Sequence, residues 1–311
     1  MMRSLYSGIS GLRNHQTRMD VIGNNIANVN TAGFKSSRTI FQDIYSQTSR
    51  SASAPITGGL GGTNPMQIGL GVKLATIDVL HTAASIQRTD RELDLMIQGD
   101  GFFVVSDIGP GDEDATDPEA VPLSYTRAGN FYLDSTGALV TASGMYVLGL
   151  MADADTGASG FETAGGSVTR DALEVLRVDM TEYSSISFDD KGNLQGVNSN
   201  DAKVIIGTVA LATFVNPGGL EKKGDSLYTE TPNSGIPGGG GNPDDPDSGG
   251  VFFQSTMGGA GKVVAGGLEM SNVDLATEFT DMIVTQRGFQ ANSRIITVSD
   301  TLLEELVNLK R

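Results

Sequence analysis

Residues 273–309 read VDLATEFTDMIVTQRGFQANSRIITVSDTLLEELVNL, a run with no proline and a single glycine, Gly288. At ~1.5 Å per residue this predicts one helix of roughly 55 Å, about three times an average globular helix. Ser271-Asn272 stands at the expected N-cap, Asp274 and Glu278 put negative charge in the early turns, and Lys310-Arg311 close the far end. Set out in sevens, one column is apolar throughout: Leu275, Met282, Phe289, Ile296, Leu303. Its expected seam partner is Phe279, Gln286, Ser293, Asp300, Val307, apolar at the ends and polar in the middle. A third apolar column, Val284, Ala291 and Val298, lies about 200° around from the first. A helix with apolar surface on opposite sides is expected to be buried on both.

The first thirty residues supply a partner. Leu5, Ile9, Leu12, Gln16, Met19, Ile22, Ile26 and Val29 recur at spacings of three and four, and Gln16 alone breaks the apolar stripe. The two chain ends therefore predict a two-helix coiled coil. The second face of the last helix then packs either on the rest of the chain or on another copy. In the second case a head-to-tail contact that does not close generates a helical filament.

Between the ends the chain reads as β. Short apolar runs at 101–105, 130–134, 145–148 and 204–215 are separated by glycine and asparagine turns, of which 134–137 and 189–193 are hairpin-type. Ser46 to Pro65 and Thr231 to Gly250 read as unstructured, and Gly109 to Pro122 as an acidic extended loop.

Composition excludes much. The 311 residues carry 37 acidic and 21 basic side chains, a formal net charge of −16, which argues against a phosphate-backbone binder. Cysteine is absent, and His15 and His81 are the two histidines, so thiolate sites, imidazole zinc sites and Ser-His relays lack material. No cofactor and no metal is expected. Gly258-Gly-Ala-Gly-Lys262 lacks both the first glycine and the hydroxyl residue of a phosphate loop, since Thr256 and Val263 stand there. The carboxylates at 153–157 and 244–247 lack the twelve-residue calcium ladder. No apolar run approaches the ~20 residues of a membrane span, and the early Arg3 is not followed by a signal-peptide core. Export, if it occurs, is expected by another route.

Several motifs in fixed order resemble the axial proteins of the bacterial flagellum, the rod and hook family. They are Ser7-Gly-Ile-Ser-Gly-Leu12; Met19 to Lys35, with Asn24-Asn25, Asn28 and Gly33-Phe34-Lys35; Asp94 to Val104, with Gly101-Phe102; Tyr125 to Asp134; Leu268 to Asp274, with Asn272; and Gln286-Arg287 through Asn292. The resemblance covers about half the chain. It implies a mixed α and β fold, with terminal helices in a coiled-coil-like layer joined by an extended linker to a mainly β domain. The expected divisions are 1–30 with 271–311 as helical domain, 31–73 with 252–270 as connection, and 74–251 as β-rich outer domain.

The implied function is structural: a self-assembling, non-enzymatic subunit of an extracellular flagellar tube that transmits motor torque. Implied partners are further copies of the chain, other axial and junction proteins and the flagellar export machinery, with neither nucleic acid nor membrane insertion. Subunit contacts are expected at Leu5, Ile9, Leu12, Met19, Ile22, Ile26, Leu275, Phe279, Met282, Phe289, Ile296, Leu303 and Val307. The closing motifs at 284–293 and 303–311 resemble hook proteins, particularly the short hook proteins of Gram-positive-type flagella. Phe41 to Thr48 and the glycine-rich insert before Gln67 resemble distal rod proteins. Hook is the favoured reading and distal rod the alternative. A secreted acidic hydrolase, built on a spatially assembled carboxylate pair, is the reading from another class.

Overall fold

The computed structural model describes residues 2–55, 61–107, 122–152, 166–198, 202–238 and 250–309. The expected loop at 109–122 (save Pro122), the carboxylates at 153–157 and 244–247, and Lys310-Arg311 lie outside the described residues. The chain divides into two units: residues 1–29, 36–80 and 273–311 form the first, and 30–35 with 81–272 the second.

The first unit contains α1 (Met2–Ala27), β1 (Ser37–Asp43), β2 (Ser46–Arg50), β3 (Met66–Gly69), β4 (Val72–Val79) and α2 (Leu275–Asn308). Both predicted helices are present. The start of α2 differs from expectation: Asp274 is the N-cap, its Oδ1 accepting from the Ala276 amide at 3.0 Å and its Oδ2 from Thr277 Oγ1 at 2.7 Å. Those bonds, the hydroxyl's first, hold the Asp274 carboxyl below the usual aspartate range. Asn272 is engaged elsewhere, its amide donating to the Phe34 carbonyl and its Nδ2 to Thr82 Oγ1.

Ser46 to Pro65 is not wholly unstructured. Its first residues form β2, which pairs antiparallel with β3, and a Ser53–Thr63 bridge extends the ladder outward. The sequence hides this arm because Ser-Gln-Thr-Ser-Arg carries no apolar alternation, and β2 and β3 are almost entirely exposed. Beside the arm, β1 and β4 make a second antiparallel ribbon, bulged between Ile40 and Phe41, that packs on α1. Asn14 Nδ2 donates to the Val72 carbonyl at 2.8 Å and Ile22 is buried there.

The second unit is the β part. Its strands in chain order are β5 (Ile86–Arg88), β6 (Leu95–Gln98), β7 (Phe102–Ser106), β8 (Leu123–Thr126), β9 (Phe131–Leu133), β10 (Leu139–Thr141), β11 (Tyr146–Met151), β12 (Ser167–Thr169), β13 (Glu174–Val175), β14 (Tyr183–Phe188), β15 (Asn193–Asn198), β16 (Lys203–Val209), β17 (Leu211–Ala212), β18 (Glu221–Gly224), β19 (Leu227–Thr229), β20 (Val251–Phe253), β21 (Lys262–Ala265) and β22 (Gly267–Glu269). The large sheet runs β12-β20-β17-β7-β11-β16-β15-β14 with branches, and its pairings are antiparallel. Strand β7 lies at its centre. Its alternate residues feed two cores, Phe103 and Val105 one, Phe102 and Val104 the other, so the continuous apolar run reflects burial on both faces.

Both expected hairpin turns are found, at 134–137 between β9 and β10 and at 189–193 between β14 and β15. The predicted strand 204–215 is divided. At Ala210 the chain leaves β15 and β11 as partners of β16 and takes up β7 and β20 as partners of β17. Apolar character continues across the break because both halves are buried. In the stretch 231–250, Thr231 and Ser234 form a hydroxyl-bonded turn, and 239–249 lie outside the described residues.

Candidate assembly surface

Helices α1 and α2 pack antiparallel along the first unit. The residues of α2 turned away from water alternate by four and three: Glu278, Met282, Thr285, Phe289, Asn292, Ile296, Ser299, Leu303. The apolar column of the sequence is thus one half of the seam, except Leu275, which is exposed. The other half is a correction. It consists of Glu278, Thr285, Asn292 and Ser299, and Phe279, Gln286, Ser293, Asp300 and Val307 all face solvent.

Small residues select this phase. Gly8 lies against Ile296 and the Asn292 carbonyl, and a Cβ on Gly11 would stand 2.5 Å from Asn292 Nδ2. Gly288 repeats the device from the other side, its Cβ position 2.8 Å from the His15 ring. Each glycine thus makes room for a side chain of the facing helix, Asn292 at Gly11 and the His15 ring at Gly288. The two buried hydroxyls satisfy themselves on their own helix, Thr285 Oγ1 donating to the Asp281 carbonyl at 2.7 Å and Ser299 Oγ to that of Ile295 at 2.8 Å.

On α1 the same phase turns Leu5, Gly8, Leu12, His15, Met19, Ile22 and Ile26 away from water and leaves Ile9 and Gln16 exposed, where the sequence stripe included both. Burial and the nearby Arg18 charge pull His15 below the ordinary histidine range. Arg18 Nη2 meets Asp281 Oδ2 at 3.0 Å.

Asn25 fixes one end of the pair. Its buried amide donates to Ser37 O and to Glu278 Oε1, each at 2.9 Å, and accepts from the Ser37 amide at 3.0 Å. One side chain thereby joins the end of α1, the start of β1 and the first turn of α2. Partial burial raises the Glu278 carboxyl above its usual range, a shift that the Asn25 hydrogen bond opposes. Asn28 bonds back to Asn24 at the end of α1. Gln286 and Arg287 stand on the exposed side.

Part of what α1 leaves uncovered on α2 is apolar. Val284, Ala291, Ile295, Val298, Leu302 and Leu306 follow one another around a second face, and Leu275, Phe279 and Ile283 make a shorter stripe on the first turns. Val298 is 57% and Val307 68% exposed. Tyr6 on α1, Ile44 and Tyr45 before β2, and Met66 and Ile68 on β3 add to this exposure. Electrostatics follow the same division: the second unit carries a formal net charge of −17 and the first +1, which together make the −16 of the chain. The first unit thus combines near-neutral charge with an exposed apolar face.

Among the described residues there is no cluster of three or more metal-ligating side chains, and no helix is long and apolar enough to cross a membrane. A cleft of about 760 Å³ in the second unit, between the 135–137 turn, residues 177–183 and β16, holds Asp179 and Glu182, and the Asp179 carboxyl is lowered by its hydrogen bonds from Thr181. That is the reverse of a proton donor's environment.

Three segments match known family models. Residues 5–35 match the model described as "Flagella basal body rod protein", 96–196 that of the "Flagellar hook protein FlgE/F/G D1 domain", and 264–309 that of the "Flagellar basal body rod FlgEFG protein C-terminal". The flagellar basal-body rod protein FlgG of Bacillus subtilis is 46% identical over 311 residues, covering all of both chains. The flagellar hook protein FlgE of Borreliella burgdorferi is 32% identical over 467 aligned positions, again covering both chains in full. A solved FlgE2 hook-protein structure from Helicobacter pylori overlaps 30% of this chain and 21% of its own, at 23% identity and a TM-score of 0.21, too slight an overlap to bear on the fold.

Proposed function

The chain belongs to the flagellar rod and hook protein family, and from that premise we propose that it is a structural subunit of the distal part of the basal-body rod. The observation that carries this reading is length. The rod relative aligns end to end over 311 positions, whereas the hook relative needs 467 and so contains long stretches with no counterpart here. Hook, which the closing motifs favoured in the sequence, becomes the second reading.

The role of the chain is mechanical and non-catalytic. Copies associate through the apolar faces of the first unit, beginning with Val284, Ile295, Val298 and Leu302, and pass torque along a tube shared with other axial and junction proteins. Delivery is by the flagellar export machinery. Deleting the gene and imaging purified basal bodies by electron microscopy tests the assignment. Rods that stop short and carry no hook support it. Complete rods that lack only the hook make this the hook subunit.

A further inference from the structure

Lys35, Arg127 and Glu269 come from the three separately matched segments, and in the second unit they form one buried ionic cluster. The side chains of Lys35 and Glu269 have no exposed surface, and Arg127 is almost as enclosed. Lys35 Nζ donates to Glu269 Oε1 at 2.6 Å and to the Thr82 carbonyl at 2.7 Å. Arg127 Nη1 donates to Glu269 Oε2 at 3.2 Å, and Nη2 to the Gly99 carbonyl at 2.8 Å. The Ala84 amide donates to Glu269 Oε1, and the Gly33 amide to the Glu269 carbonyl at 2.8 Å. Burial lowers the Lys35 ammonium, while the hydrogen bond and charge of Glu269 oppose the shift.

The position of this cluster is informative. The second unit comprises 30–35 and 81–272, so Lys35, Thr82 with Ala84, and Glu269 lie on the three stretches by which the chain enters and leaves it. The strands there are weak by themselves. β22 pairs with β5 over three residues, all of β5 is exposed, and a short two-stranded ribbon is marginal in water. Pull on residue 270 would open such a ribbon one bond at a time. A carboxylate held by two cations, which are themselves bonded to carbonyls of other segments, must be released all at once.

The geometry points to a lock: Glu269, gripped by Lys35 and Arg127, fixes the entry and exit segments of the β unit, so that load on the chain ends reaches the sheet core without first peeling these segments away. Apolar packing would stabilise the unit equally well, since buried ion pairs add little net stability, but would not tie these particular segments together.

Native-state hydrogen exchange on the full-length protein tests the lock. With Glu269→Gln, the amides of Gly33, Ala84, Thr89 and Met270 should exchange at least tenfold faster, while those of Leu139 and Val209 in the sheet core stay within threefold. A uniform rise across all six would make the cluster ordinary core and overturn the lock, as would no change at the first four. Lys35→Met is the gentler variant because Glu269 keeps Arg127. If Glu269→Gln does not fold, Lys35→Met must accelerate Gly33 and Ala84 alone. Failure of both variants to fold, or unchanged exchange at those two amides in Lys35→Met, overturns the proposal.

Discussion

Gly11 of α1 and Asn292 of α2 approach so closely that the space a Cβ would take on the glycine is already occupied by the asparagine amide, 2.5 Å away. The obstacle is the far end of a flexible side chain, so Gly11→Ala should be tolerated by rotation of Asn292. Gly11→Leu has no such escape and should separate the helices, with a cost in the range of about 1–3 kcal/mol typical of overpacking. Thermal melts followed by far-ultraviolet circular dichroism check this. Equal melts for the two variants would mean that the helices do not meet at these residues.

The two apolar faces of α2 should respond differently to charge. Val298→Asp and Val284→Asp lie on the exposed face of α2 and should leave the monomer's helix content intact. Burying such a side chain in a contact is worth roughly 1.5–3 kcal/mol, so its replacement by a carboxylate should raise the critical concentration for assembly at least tenfold. Phe289→Asp should also block assembly, but with loss of helix content, because Phe289 lies half-buried on the seam itself. Ser293→Ala, on the exposed side, should be mild. Sedimentation of polymer against protein concentration, with circular dichroism of the monomer, separates these cases.

The β2–β3 arm presents Met66 and Ile68 to solvent at more than half exposure. Removing residues 46–69 should change the stiffness or straightness of the polymer while leaving the melting of the second unit within a degree or two. Indistinguishable polymers after the deletion would make the arm an idle excursion.

His81 gives the second unit an acid-sensitive point. Its ring packs edge-on against Phe102 and Tyr228, each with centroids 5.5 Å away, and it is lowered to about 4 by burial, then by the charges of Lys35, Arg127 and Lys222. The unfolded chain holds this proton near pH 6.5, so protonation favours unfolding. The contribution is complete above pH 6.5, falls as the pH drops through that value, and is lost by about pH 4. A shift of this size corresponds to roughly 3 kcal/mol. Urea midpoints at pH 7.5, 5.5 and 4.5 should fall more steeply in the wild type than in His81→Phe. Parallel pH profiles would remove His81 as the cause.

Some of this was legible in residue order alone. Two proline-free runs with apolar residues at threes and fours dictate long helices at the chain ends, and alternation around glycine turns dictates hairpins such as 131–141. Those are local properties, set by backbone geometry within a few residues. The β2–β3 arm was not legible, because its residues are exposed, those of β2 are all polar, and its pairing depends on a partner strand sixteen residues away.

Two further features were decided by tertiary structure. Spacing allows Met282, Phe289 and Ile296 to pair with either of two columns, one three residues on and one four. The choice fell on Thr285, Asn292 and Ser299, with Gly11 leaving room for the Asn292 amide and Gly288 for the His15 ring. Likewise nothing local marks Lys35, Arg127 and Glu269 as partners, since 92 residues separate the first two and 142 the last two. Charge is visible in a sequence, but burial is not. Only when the sheet has brought the three segments together and excluded water does each cation find the carboxylate it needs.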